Sequence, residues 1–362
     1  MHEKEADFMD SALKKLGWND FFEERFRGYA TDHEPGRVSA VNKSSCKVHM
    51  KGGVVRARVS GKLRQDGLRP AVGDWVAIYR DESDIFTIQA ILPRKSKISR
   101  KDPGRAIGEQ VMVTNIEAVF IVTSLNQDLN MRRLERYLAV ARQSGAEPVV
   151  VLNKSDLCAD VEAKVDEVKA IAPDLSVIAI SAAEKTGLEQ LAPYLQDGKT
   201  VVLLGSSGVG KSTLINALEG RKRQKIGEIR EDDGRGRHTT TVRELLVLER
   251  GGIIIDNPGM REIQLWDAGD GLDDAFQDII ELAKECKFSD CRHETEPGCA
   301  VKKAIEEGAL SLGRLESYRK LQRELSAIER KKNPKLMAAE RKKMKKFSRV
   351  AKEILKKKAG GL

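Results

Sequence analysis

The sequence predicts a multidomain protein: a small β-barrel, then an α/β unit on a mostly parallel sheet with helices on both faces, then a helical unit built around a metal. Three observations predict it. Apolar residues alternate with period two through residues 37–99, apolar strands alternate with helices through 110–266, and three cysteines with a histidine crowd into 286–299. At 362 residues the chain has length for two or three separate cores.

The elements follow in order. Residues 1–36 read as a helical extension, with Phe8, Leu13, Leu16, Trp18, Phe21, Phe22 and Phe26 as a loose apolar stripe. Within 37–99, Cys46, Val48 and Met50 alternate, Gly52-Gly53 turns the chain, and Val55, Ala57 and Val59 alternate back, which is a hairpin signature. Further strands are expected near Trp75–Tyr79 and Ile85–Leu92. Four or five short strands suit a barrel of oligonucleotide/oligosaccharide-binding (OB) or SH3-like type, and the pattern does not separate the two. RKDPGRAIGEQ, residues 100–110, reads as a polar joint.

In 110–266, EAVFIVTSL, EPVVVLN, SVIAISA and TVVLLG are buried strands, and RELLVLERGGIIIDNPG pairs two more. Helices NMRRLERYLAVARQSG, VEAKVDEVKAIA, GLEQLAPYLQ and STLINALEG lie between them, so the sheet is mostly parallel. Residues 267–330 are helical around the cysteine cluster, and 331–362 form a basic helical tail.

Composition narrows the function. With 40% hydrophobic and 33% charged residues and no run of about 18 apolar residues, no membrane partner is expected. The acidic, mixed start is unlike a secretory signal, so a cytoplasmic protein is expected. Net charge is +9, yet residues 331–358 alone hold thirteen Lys or Arg against Glu340 and Glu353. Such a block argues for a polyanion, most plausibly nucleic acid, over a merely solvated helix.

GSSGVGKST (Gly205, Ser206, Ser207, Gly208, Val209, Gly210, Lys211, Ser212, Thr213) follows a strand and opens a helix, the context that makes a phosphate loop. Its glycines let backbone N–H groups turn toward phosphate oxygens, and the helix N-terminus adds favourable charge. Lys211 would bridge the β- and γ-phosphates, and Ser212 would ligate Mg²⁺. NKSD (Asn153, Lys154, Ser155, Asp156) caps the strand PVVVL, where ligands bind in open α/β sheets. Asp156 can accept two hydrogen bonds from the guanine edge, whereas adenine would leave that carboxylate unpaired. Asn153 would contact the base and fix the loop, and the Lys154 stem would cover the ring. Ser181 and Ala182, in SAA at the end of the next strand, would lend a backbone N–H to the guanine oxygen.

Asp256, in DNPG, would hold Mg²⁺ through water, and the Gly259 N–H would sense the γ-phosphate. RHTTT supplies a further Mg²⁺ ligand, Thr240 in preference to its neighbouring threonines. The residue after Gly259 is Met260, which cannot orient a water, so hydrolysis by the isolated chain is expected to be slow. His238 or a partner would supply the missing group. CKFSDCRHETEPGC places Cys286, Cys291, His293 and Cys299 for a closed tetrahedral zinc site of structural type.

The base-reading tetrad precedes the phosphate loop, the reverse of a regulatory GTPase, so the motifs run in circularly permuted order. Joining the natural ends and cutting elsewhere preserves a sheet whose pocket depends only on which strand ends converge. That order, with GSSGVGKST, GRHTTT, DNPG, Trp266 and the C-x4-C-x-H-x5-C spacing, resembles the bacterial ribosome small-subunit-dependent GTPase A family over residues 36 to 330. The resemblance implies an OB-type barrel, a permuted GTPase domain and a zinc-binding C-terminal domain. It also implies hydrolysis of GTP to GDP, stimulated by the 30S subunit during late maturation, with 16S rRNA as partner and a monomeric chain. Asn257 stands where many members carry Ser or Thr. The other reading kept open is an RNA-binding scaffold in which nucleotide is mainly structural.

Overall fold

Alternating small and branched residues let five short strands close on themselves. The computed structural model describes residues 11–29, 31–101, 109–126, 129–196, 198–220, 243–249, 251–256 and 269–332. Strands β1 (Glu34–Val41), β2 (Cys46–Met50), β3 (Gly53–Val59), β4 (Trp75–Arg80) and β5 (Phe86–Ile91) form a closed barrel in the order β1-β2-β3-β5-β4. The β3–β5 pair is parallel, β4 pairs back onto β1, and helix α1 (Gly61–Gln65) follows β3. That Greek-key closure settles the barrel as OB-like. Val38, Val48, Ala57, Val76, Ile78 and Ile88 fill it.

Before the barrel, residues 11–15 and Asp20–Phe26 are helical. Their stripe of Leu13, Leu16, Trp18, Phe22 and Phe26 packs on Trp75, with the two indole rings 4.7 Å apart and edge to face. The two ends of the polar joint prove to be paired strands, β6 (Lys97–Lys101) running antiparallel to β7 (Glu109–Thr114). Lys97, Arg100 and Glu109 interrupt their apolar pattern, while Ile98, Met112 and Val113 are buried.

The second sheet has the order β10-β9-β8-β11-β13-β12. Strands β8 (Ala118–Ser124), β9 (Glu147–Asn153), β10 (Ser176–Ala179), β11 (Thr200–Leu204) and β13 (Ile253–Asp256) are mutually parallel, and β12 (Glu244–Val247) runs antiparallel at the edge. Alternate residues face opposite layers. Val119, Ile121, Val150, Leu152, Val202 and Ile255 meet helix α2 (Met131–Gln143) and Val168 of α3 (Val161–Ile171). Phe120, Val122, Val149, Val201 and Leu203 meet Leu191, from the short 3-10 helix Leu188–Tyr194, and Leu214 and Ile215 of α4 (Lys211–Glu219).

Barrel and sheet are joined by buried polar contacts. Arg37 of β1 donates to the Leu16, Gly73 and Asn115 carbonyls, and burial lowers its pKa to about 10. Asp74, fully buried, accepts from Arg94 through both oxygens at 2.7 Å, from Thr114 Oγ1 at 2.8 Å and from the Ala71 N–H at 2.7 Å.

Helices α5 (Gly269–Ala275) and α8 (Leu312–Lys332) dock on α2, α6 (Gln277–Lys284) packs on α5, and α7 (Ala300–Glu306) packs on α6. A Cβ on Gly271 would meet the Ala139 carbonyl at 2.5 Å, so the close α5–α2 approach requires glycine. Arg314 of α8 is buried between Glu135 of α2, at 2.9 Å, and Asp278 of α6, at 2.6 and 2.8 Å. Burial pushes the Glu135 carboxyl up, while Ser317 and Arg314 pull it down. Replacing Arg314 with alanine would leave Glu135 without its cation. A loss of about 3–5 kcal/mol is expected, seen as a lower urea midpoint.

Candidate functional site

The crevice lies outside the carboxyl ends of the parallel strands, where the strand order reverses between β8 and β11. From β11 the chain passes through Gly205–Gly210 and enters α4 at Lys211. Gly208 and Gly210 hold left-handed backbone, at φ 82° and 95°. Lys211 Nζ donates to the carbonyls of Gly205, at 2.7 Å, and Ser206, at 2.5 Å, so the ammonium lies over the loop. Ser212 and Thr213 occupy the first turn of α4 and are half-buried.

Two strands away, β9 ends at Asn153, which is 2% exposed. Its side-chain amide donates to the Val209 carbonyl at 2.8 Å, and its oxygen accepts the Ala182 N–H at 3.0 Å. One side chain thus ties the tetrad to the phosphate loop and to the segment after β10. A Cβ on Gly210 would meet Asn153 Nδ2 at 2.2 Å, so that position admits only glycine without displacement. Lys154 is left-handed at φ 63°, which turns the chain into the 3-10 turn Ser155–Leu157 and leaves Asp156 exposed. Ser181 and Ala182 are buried, and Ser181 Oγ accepts the Glu184 N–H.

Asp256 ends β13, parallel and adjacent to β11, the strand that leads through the loop to Ser212 in the first turn of α4. Their carboxylate and hydroxyl are an oxygen donor set that suits Mg²⁺. Thr240, His238, Gly259, Met260, Asn257 and Trp266 lie outside the described residues, as do Phe8 and the tail beyond Lys332.

The second centre is Cys286, Cys291, His293 and Cys299, whose ligand atoms all lie within 4.8 Å of one another. Cys286 Sγ is 3.8 Å from Cys299 Sγ and 3.6 Å from His293 Nδ1, which is 3.4 Å from Cys299 Sγ. A tetrahedral ion with metal–sulfur and metal–nitrogen bonds of about 2.3 and 2.0 Å separates S from S by about 3.8 Å and S from N by about 3.5 Å. The cluster therefore fits a closed four-ligand metal site. Cys299 Sγ also accepts the Lys302 N–H at the start of α7.

The comparisons agree with this geometry. The RsgA GTPase family description matches residues 91–266, and that for the RsgA N-terminal domain matches 35–88. An ABC transporter description matches 188–354, a span that contains the phosphate loop. A relative in Methanosarcina acetivorans, the small ribosomal subunit biogenesis GTPase RsgA, is 48% identical over 87% of this chain and 86% of its own length. The chain belongs to the RsgA GTPase family. It is a GTPase.

Another RsgA, from Streptomyces coelicolor, is 43% identical over 97% of both chains. Among solved structures, YjeQ from Thermotoga maritima is 29% identical at a TM-score of 0.60, covering 81% of this chain and 99% of YjeQ. YloQ, described as a circularly permuted GTPase, is 26% identical at 0.59, covering 84% and 97%. The permuted RsgA order is thus realised on the sheet described above, and no helix among the described residues is long and apolar enough to cross a membrane.

Sequence reasoning missed some residues that position the site. Glu117 Oε2 accepts the Thr200 N–H at 2.8 Å and so anchors the strand feeding the phosphate loop. No local pattern marks a contact between residues 83 positions apart. If the four ligands hold an ion, a chelator is expected to loosen residues 286–299 and fray α7. Faster proteolysis there, with the nucleotide crevice still protected by GTP, is the readout.

Proposed function

We propose that this GTPase acts on the small ribosomal subunit late in its assembly, binding 16S rRNA in its GTP form and leaving after hydrolysis to GDP. The relatives' names support the partner, and the bridge from Asn153 to Val209 and Ala182 carries the nucleotide reading. Without that bridge the tetrad and the phosphate loop would be separate surfaces.

Guanine would lie between Asp156 and the Ala182 N–H, with its phosphates over Gly205–Thr213. Lys211 would leave the loop carbonyls to meet the β- and γ-phosphates, holding the charge that grows in the transition state. Ser212, Asp256 and Thr240 would hold Mg²⁺, which neutralises phosphate charge when bound. Gly259 would sense the γ-phosphate, and His238 or a group from the subunit would orient the attacking water. Zinc in the Cys286, Cys291, His293 and Cys299 site would be structural, because four protein ligands leave no open position.

The working divisions are 1–36, 37–99, 110–266, 267–330 and 331–362, in a monomer acting in the cytoplasm. The deciding experiment measures GTP turnover with and without purified small subunits, and subunit affinity with GDP and with a non-hydrolysable GTP analogue. Stimulated turnover and tighter binding with the analogue are expected. Equal affinity in both nucleotide states would instead make the chain an RNA-binding scaffold.

A further inference from the structure

The helical extension ahead of the barrel sits where the permutation left its join. Residues 195–200 connect the 3-10 helix Leu188–Tyr194 to β11, the strand that feeds the phosphate loop. In an unpermuted sheet the two chain ends would lie at this point, free to fray. Here the join is covered. Gly198, at φ 70°, faces Gly17, at φ 86°. A Cβ on Gly17 would meet the Gly198 carbonyl oxygen at 2.8 Å, and one on Gly198 would run into the Lys14 carbonyl and the Gly17 nitrogen. The two backbones meet directly.

The same short extension holds three other pieces of the molecule. Its Leu16 carbonyl accepts from Arg37, which is 1% exposed and also donates to the Asn115 carbonyl at 2.8 Å, between β7 and β8. Trp18 and Phe22 pack on Trp75 of β4, with ring centroids 4.7 and 5.8 Å away. Val247, the last residue of β12, packs against that apolar cluster from the six-stranded sheet. Lys95 Nζ lies 5.2 Å from the centre of the Phe21 ring, within cation–π range. Barrel, join and edge strand thus meet on residues 11–29.

We propose that residues 11–29 are a strap that locks the barrel onto the nucleotide-binding unit by clamping the join, so that strap, join and barrel seat open together. The join lies at the amino end of β11, about 13 Å of strand away from the phosphate loop, so GTP binding does not depend on the strap.

Hydrogen exchange on the full chain, with GTP bound, tests the lock at three amides. The Glu23 N–H, bonded to the Asn19 carbonyl, reports the strap. The Thr200 N–H, on the Glu117 carboxylate, reports the join, and the Thr114 N–H, on the Val72 carbonyl, reports the seat of the barrel. Gly17→Ala is expected to speed exchange at all three by about tenfold or more, the size of the left-handed backbone penalty before any clash with Gly198 is added. Gly67→Ala places similar strain, at φ 71°, just after α1, where a Cβ meets nothing within 4 Å. It is expected to leave the three amides at wild-type rates. The reciprocal change, Gly198→Ala, should loosen Glu23 from the other side of the contact.

The lock is overturned if Glu23 alone exchanges faster in Gly17→Ala, which would make the extension an ornament of the barrel, or if Gly67→Ala has the same effect. A fall in GTP affinity in Gly17→Ala would overturn the separation of strap from crevice. Should Gly17→Ala not fold, Trp18→Leu, which keeps an apolar side chain and gives up the ring contacts, must show the same shared acceleration or the lock fails.

Discussion

Replacing Lys211 with alanine is expected to lower GTP turnover by roughly 10²–10³-fold, the usual size of losing one preorganised charge against a developing anion. The fold should tolerate the change, because alanine is a better helix former than lysine and Lys211 begins α4. Its ammonium, resting on the Gly205 and Ser206 carbonyls, is not part of any buried core. Thermal unfolding should therefore barely move while single-turnover hydrolysis collapses. If turnover stayed within a factor of three, the assignment of Lys211 to the phosphates would be wrong.

The second large effect concerns choice of base. The wild type is expected to prefer GTP over ATP by about 10⁴, since a site built to receive guanine donors leaves its acceptor unpaired against adenine. Asp156→Ala should remove most of that preference by weakening GTP binding. Asp156 is the cleaner residue to change, being exposed in the turn after β9, so stability should shift by no more than about 0.5 kcal/mol. Asn153 is different: it is buried and hydrogen-bonded to two motifs, and its loss would mix unfolding with binding. Competition titrations of GTP against ATP with both proteins read the effect directly; an unchanged ratio in Asp156→Ala would place the base elsewhere.

Much of this architecture is legible because the strands that position the crevice are unusually apolar. PVVVL and TVVLL announce buried strands, and a buried parallel strand must deliver its next residues to the carboxyl edge, which is where NKSD and GSSGVG begin. The metal ligands are legible because their chemistry is local to fourteen residues. The ribbon β6–β7 was hidden by Lys97, Arg100, Lys101 and Glu109, whose charges interrupt the apolar pattern and make a strand look like a linker. Arg37 and Arg314 were invisible for another reason. Charged residues read as surface, and only the fold brings Asn115 to the first or Glu135 to the second, across 78 and 179 positions. The OB-like closure likewise depends on the β1–β4 and β3–β5 pairings, which no single stretch encodes.

The lengths of the outermost strands carry a separate consequence. Both edges of the six-stranded sheet, β10 and β12, are four residues long. A strand that short offers a neighbouring chain only a couple of outward-facing N–H and C=O groups, too few to seed strand addition. Resistance to amyloid-like stacking is therefore built into the dimensions of the sheet, and a protein whose central strands are so rich in valine and leucine can be crowded without those strands finding each other.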